Sequence, residues 1–203
     1  LARIPFDVAQ HDESIGIAAT NLAPADFLER LWLRPTLDVN GMWGGYTGAG
    51  GKTVIPALAH AKLSMRLVPG QDPALAREAV AKHLRTHCPK GAELSITNTR
   101  DGTYAYSLPD SHPLLLAAEA ALERTTGRRP LRVRMGATLP LADIARNVAG
   151  IDTVMFSFAT ADEDFHAPNE NWRESSIAEG FAAWVALMRE LNGVTRSAFS
   201  PAS

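Results

Sequence analysis

The chain has 203 residues, a formal charge of -2 from 20 basic and 22 acidic side chains, and 46% apolar residues. That near-balance of charge lacks the electrostatic footprint of a nucleic-acid or anionic-membrane binder. No stretch approaches the ~18 uninterrupted apolar residues of a membrane span, and one cysteine, Cys88, excludes an internal disulfide framework and a cysteine-rich zinc finger. The chain reads as globular and intracellular.

Leu1 opens the sequence without the basic and apolar regions of a signal peptide, and Leu1 to Phe6 reads as sequence from inside a domain, so residues are expected upstream of it. Residues 1–23 lack a clear period and read as an irregular segment anchored by Ile4, Phe6, Ile15 and Leu22. A short helix is expected over Phe27–Leu33, stopped by Pro35, then a strand over Thr36–Gly41. Five glycines between Gly44 and Gly51 exclude a regular element there. Ala59–Val68 alternates, with Ala61, Leu63, Met65 and Leu67 on one face, as a half-buried strand does.

Asp72-Pro73 is a helix start. The helix runs to about His87, with Leu75, Ala79, Val80 and Leu84 as its apolar stripe, and Ala92–Asn98 alternates as a strand. The order β, β, α, β fits an α+β sandwich. Beyond Leu108-Pro109 the pattern changes: a helix from Pro113 to about Arg124 closed by Gly127, a strand over Leu131–Arg134, a turn at Gly136 and a helix over Leu141–Val148. An apolar strand, Thr153–Phe158, and a helix over Ser175–Leu191 complete it. Strands alternating with helices around a continuous apolar strand indicate a parallel α/β sheet. Two domains are expected, divided near residue 109, with Ser197–Ser203 as a disordered tail.

Several constellations invite chemistry. Gly48-Ala49-Gly50-Gly51-Lys52-Thr53 imitates a phosphate-binding loop, but the pattern's first glycine falls at Tyr46, and Val54-Ile55-Pro56 stands where a helix must begin. His83 and His87 have the i,i+4 spacing of a metal chelate on a helix; without a third ligand they read as surface histidines. Asp162-Glu163-Asp164-Phe165-His166-Ala167-Pro168-Asn169-Glu170 follows the apolar strand directly, at the strand end where ligand sites lie in open α/β sheets. The residues alone allow His166 a metal or catalytic role, or make this a loop of capping acids before the last helix. Arg66 carries a fork suited to a carboxylate, although a strand arginine is usually a surface residue.

Gly44-Gly45-Tyr46-Thr47-Gly48, Lys52-Thr53-Val54-Ile55-Pro56-Ala57, Ala61 to Pro69 and Gln71-Asp72-Pro73 together resemble the M20 metallopeptidase family, in its carnosinase-like, cytosolic dipeptidase branch. Arg134 to Pro140 and His166-Ala167-Pro168-Asn169-Glu170 fall in the family's order and spacing. The resemblance implies an α/β catalytic domain with two metals, interrupted by an α+β lid that dimerises. Residues 1–108 correspond to the later part of the lid, 109–196 to the resumed catalytic domain, and 197–203 to the tail.

The resemblance carries specific roles. His166 matches the family's last metal ligand, and Arg66 an arginine that binds the substrate's C-terminal carboxylate. Thr53 matches a lid-loop residue that reaches towards substrate. Gly136, Ala137 and Thr138 match a turn that usually reads Gly-Gly-Ser and meets the same carboxylate; Thr138 keeps the hydroxyl, while Ala137 adds a methyl.

The bridging aspartate, most other ligands and the general-base glutamate precede the lid in the family, and none of their motifs occurs here. No catalytic residue is therefore expected in this chain, and it should be inactive alone. The implied whole is a cytoplasmic homodimer that hydrolyses dipeptides with two zinc ions, or manganese or cobalt in their place, and that has neither nucleic-acid nor membrane partners. The alternatives are an aminoacylase or amidase of the same family, and a non-catalytic dimerisation and binding module of the same fold.

Overall fold

A computed structural model describes residues 1–97, 102–136 and 139–199. The chain divides into two compact units, Leu1–Tyr106 with Val133–Asp143, and Ser107–Arg132 with Ile144–Ser203.

The first unit opens with a helix that the sequence reading takes as irregular. Helix α1 spans Val8–Ser14, capped by Asp7, whose carboxylate accepts from the Gln10 N–H at 3.0 Å. Asp7 at the N-cap is the signal that reading passes over, because seven residues are too few to establish a period. The ring of His11 meets that of Phe27 at 5.1 Å, and Phe6 stacks on Phe27 at 5.3 Å. Asp12 is buried and accepts from the backbone N–H of Thr20 (2.8 Å) and its hydroxyl (3.0 Å).

Helix α2, Pro24–Leu33, starts on proline, buries Leu28 completely, and stops at Arg34, which is extended (ψ 140°) as the residue before Pro35 must be. Strands β1 (Thr36–Gly44) and β2 (Ala59–Arg66) pair antiparallel from Thr36 opposite Arg66 to Gly44 opposite Ala59, with a bulge between Val39 and Gly41. Gly44 is there for clearance, since a Cβ on it would stand 2.9 Å from the Leu58 carbonyl.

The half-burial expected of β2 is not met. The ribbon is exposed on both faces, with Leu37, Val39 and Met42 open to solvent and Leu63 38% exposed. Alternation marks the face a strand would bury; the covering layer must come from elsewhere, and here the ribbon has none.

Helix α3, Pro73–Thr86, is capped by Asp72, whose Oδ1 accepts from the N–H groups of Ala74 (2.8 Å) and Leu75 (2.9 Å). Oδ2 accepts the Tyr104 hydroxyl at 2.8 Å, so the cap also fixes the segment after the helix. These donors hold the Asp72 carboxyl below its usual range, the Leu75 N–H most of all. Its expected stripe is rotated: Leu75 is exposed and Ala81 buried.

In the second unit, α4 (Pro113–Thr126) packs on α6 (Glu174–Asn192) along Ala117, Ala118, Ala121, Ala186 and Leu187. Alanines along this seam let the helix backbones approach closely. Val154, Phe156 and Leu191 pack against the same cluster. Gly127, at φ 68°, closes α4 in the left-handed conformation. Leu187 is 1% exposed. Leu187→Ala is expected to cost about 2–5 kcal/mol of stability, read from denaturant midpoints at constant slope. Helix α5 spans Pro140–Ala149.

Among the described residues β1 and β2 are the only strands, so three further expected strands are corrected. The segments 92–97, 131–134 and 153–158 form no ladder; Asn98, at the end of the first, lies outside the described residues. Around Val154 and Phe156 burial alternates, with Met155 and Ser157 exposed, so the continuous apolar run is not buried throughout. A strand also needs a neighbouring backbone, and residue pattern does not report one.

Segment 131–134 is held by a side chain instead. Arg132 makes a fork to Glu119 on α4 (Nε to Oε1 2.5 Å, Nη2 to Oε2 2.8 Å) and donates to the Asp110 carbonyl at 2.8 Å. The Arg132 hydrogen bonds hold the Glu119 carboxyl below its usual range. The unfolded chain therefore takes up this proton first as pH falls. The stabilisation is complete above the ordinary glutamate range and disappears as pH drops through it. Glu119→Gln is expected to flatten that limb of the stability–pH curve between about pH 5 and 3 while lowering stability at pH 7.

The expected tail is partly ordered, with a short 3-10 turn over Arg196–Phe199 in which Phe199 meets the ring of His112; residues 200–203 lie outside the described residues.

Candidate functional site

In the first unit the structure brings together two residues that lie 70 positions apart. Arg66 ends β2, and its Nη1 donates to the Gly136 carbonyl at 3.1 Å. Gly136 is packed so closely against the end of α2 that a Cβ would stand 3.0 Å from the Leu31 carbonyl. The absence of a Cβ is what lets the chain at Gly136 lie this close to the Leu31 carbonyl. Ala137 and Thr138, the other expected members of the turn, lie outside the described residues.

Thr53 is exposed in the segment between the strands. The Val54 N–H donates to the Lys52 carbonyl at 3.0 Å across it, a three-residue turn with Thr53 at its centre. The Lys52 ammonium lies over the Tyr46 ring, 5.6 Å from its centroid, and the Tyr46 hydroxyl donates to the Ala49 carbonyl at 3.1 Å. The glycine-rich segment is thus ordered by its own side chains, and no helix follows it to complete a phosphate loop. The rings of His83, in the last turn of α3, and of its C-cap His87 meet at 4.1 Å, tilted by 31°, with the His87 Nδ1 2.8 Å from the His83 carbonyl.

In the second unit His166 is exposed, at φ 60°, in a loop that leaves the apolar segment 153–158 and returns to α6. Asp164 (φ 51°) and Asn169 (φ 69°) share its left-handed conformation. The loop begins with a 3-10 turn, Ala161–Glu163, closed by a capping box: Thr160 N–H donates to Glu163 Oε2 at 3.2 Å. Glu163 is buried (1% exposed), and its Oε1 accepts from the Arg173 N–H at 3.2 Å. The Arg173 guanidinium donates to Asp162, Thr160 and Glu163. That bonding holds the Asp162 carboxyl well below the usual range and raises Arg173.

Among the described residues no three of His, Cys, Asp and Glu gather as a metal cluster. An exposed imidazole on an ordered loop fits one ligand of a metal centre whose other donors lie elsewhere; it does not make a centre by itself.

Residues 1–92 match the family model described as the peptidase dimerisation domain of M20. The mouse Beta-Ala-His dipeptidase is 27% identical over 169 residues, 82% of this chain and 34% of the relative. The Cys-Gly metallodipeptidase dug1 of Schizosaccharomyces pombe is 27% identical over 175 residues, 85% of this chain and 37% of the relative. A solved structure, the M20 family metallo-carboxypeptidase Sso-CP2 of Sulfolobus solfataricus, superposes with a TM-score of 0.74 at 26% identity, over 94% of this chain and 43% of that one.

The chain is related to the M20 metallopeptidases.

Human carnosine dipeptidase 1, at 23% identity and a TM-score of 0.74 over 95% of this chain, shares the fold. The mixed helix and strand content agrees with the M20 fold class expected from the sequence. The M20-related chain spans about a third of the length of the curated relatives it matches. Among the described residues no helix is long and apolar enough to cross a membrane.

Glu163 stands in the run that the sequence offers as a loop of capping acids, and it caps the 3-10 turn; Arg173 lies outside that run. The spacing Thr160-x-x-Glu163 carries a readable signal, the capping-box pattern. Arg173, ten positions on, carries none, because its role depends on where the loop returns.

Proposed function

We propose that this chain is part of a metal-dependent M20 dipeptidase that cleaves the amide bond of dipeptides or similar small peptides. The observation that carries the reading is the Arg66–Gly136 contact, which joins two segments that must share one carboxylate subsite if the resemblance holds. Arg66, Gly136, Ala137 and Thr138 take the substrate's C-terminal carboxylate, Thr53 approaches the substrate from the lid loop, and His166 supplies a neutral imidazole to one of two zinc ions. Metals in such a centre lower the pKa of bound water and polarise the scissile carbonyl. The general base and the remaining ligands belong to the part of the relatives beyond the match. Residues 1–108 serve as lid and dimerisation domain and 109–196 as the end of the catalytic domain, in a cytoplasmic enzyme.

The test is to express the chain together with the remainder its relatives carry, and to assay dipeptides against N-acylated amino acids before and after chelation. Chelator-sensitive cleavage of dipeptides supports the reading. Preference for acylated amino acids moves the assignment to an aminoacylase, and inactivity of the metal-loaded protein overturns it in favour of a non-catalytic module.

The homodimer forms through the lid in this reading. Leu37, Val39 and Met42 on the exposed ribbon form an apolar surface that water does not favour leaving open. The purified chain is expected to sediment as a dimer or larger species at micromolar concentration, and Val39→Asp to shift it towards monomer. A wild-type monomer at high concentration would remove this surface from consideration.

A further inference from the structure

We infer that Glu163 and Arg173 act as a clasp that positions His166. This rests on the reading of His166 as a metal ligand. The Glu163 carboxylate receives the backbone N–H groups of Thr160 and Arg173, thirteen residues apart, one on each oxygen. Its own carbonyl accepts the Asn171 N–H at 3.1 Å. One buried side chain therefore joins both ends of the loop. Arg173 then folds back over Thr160, Asp162 and Glu163, supplying the positive charge that a buried carboxylate requires.

The clasp matters because the loop it closes is not favoured locally. Three non-glycine residues within six positions, Asp164, His166 and Asn169, hold positive φ, at a cost on the order of 1 kcal/mol or more each. Inside the loop, Ala167 N–H donates to the Asp164 carbonyl at 2.9 Å and Glu170 N–H to the Ala167 carbonyl at 3.2 Å. Those turns set the path of the chain, and the clasp keeps its ends together so that the path persists. With the ends released, the backbone at His166 relaxes towards negative φ and swings the imidazole off its direction. A metal ligand tolerates only about 0.5 Å of such displacement. Neither Glu163 nor Arg173 is a ligand in this account; both act through the backbone of His166.

The experiment uses the complete, metal-loaded protein and measures metal affinity by competition with a chromophoric chelator, alongside melting of the metal-free form. Glu163→Gln keeps the shape but offers one acceptor where two are needed, and Arg173→Met removes the counter-charge. Each is expected to weaken the binding of one metal about 10–100-fold, as loss of supporting residues around a ligand does, and Arg173→Met should also lower the metal-free melting temperature, because it leaves the Glu163 carboxylate buried without its counter-charge. Arg173→Lys should recover part of the loss. On a His166→Ala background, Arg173→Met should cost no further affinity, because the clasp acts through a ligand already gone. If His166→Ala itself leaves both metals in place, the ligand reading falls. If His166→Ala releases a metal but Glu163→Gln and Arg173→Met bind as wild type, the clasp falls. Should Arg173→Met fail to fold, the same cycle with Arg173→Lys decides: additive losses would overturn the proposal.

Discussion

In the proposed two-metal dipeptidase, His166→Ala is expected to halve the metal content, from two ions per subunit towards one, and to lower kcat/KM by at least about 100-fold. Removing one of the few donors to an ion would weaken its retention, and a two-metal site left with one ion would supply less of the Lewis acidity that the hydrolysis needs. The two losses should travel together across variants and across added metal. Excess zinc should restore part of the activity if the site is merely weakened. Elemental analysis after dialysis, paired with rates at several zinc concentrations, checks this. Full metal occupancy in His166→Ala would remove His166 from the ligand set, and with it the geometric role given to its loop.

Most of the helices in this chain were legible because each carries its own punctuation. Asp72-Pro73 starts α3, Gly127 stops α4, and Pro35 forbids α2 to continue. The β1–β2 ribbon was legible for a similar reason, the alternation in Ala59–Arg66 being complete within eight residues. At 92–97, 131–134 and 153–158 the sequence misleads, because the alternation of the first and the apolar run of the last report what can be buried and say nothing of a neighbouring strand. Val154 and Phe156 do point inward, against α4 and α6. Arg132 shows what replaces a ladder: a two-pronged hydrogen bond to Glu119 fastens its segment to a helix, and no periodicity foretells it.

The candidate site divides in the same way. His166, Arg66 and Thr53 stand in recognisable local motifs, so single residues could be picked out. Glu163 was legible only as one of a run of capping acids and Arg173 not at all, since Glu163 joins the two ends only when the loop closes and puts Thr160 and Arg173 within reach of one carboxylate. Tyr104 is a similar case, its hydroxyl reaching back 32 residues to the cap of α3.

Arg66→Met is expected to raise KM for dipeptides about 10–100-fold while changing kcat much less. A charge-assisted hydrogen bond to a carboxylate is worth roughly 1.5–3 kcal/mol, which sets that range. In the proposed subsite the carboxylate is not itself a reacting group, so its anchoring is felt in ground state and transition state alike, and uniform binding of this kind appears in KM. Arg66→Lys should recover little. An ammonium keeps the charge but lacks the planar fork that holds the Gly136 carbonyl and faces a carboxylate at once. The decisive comparison uses dipeptides whose C-terminal carboxylate is replaced by an amide. Wild type should handle these poorly, and Arg66→Met should handle them no worse than wild type does, because the interaction is already missing from the substrate. Equal losses on free-acid and amidated substrates would mean that Arg66 only props the turn at Gly136, and the carboxylate would then be bound by other groups.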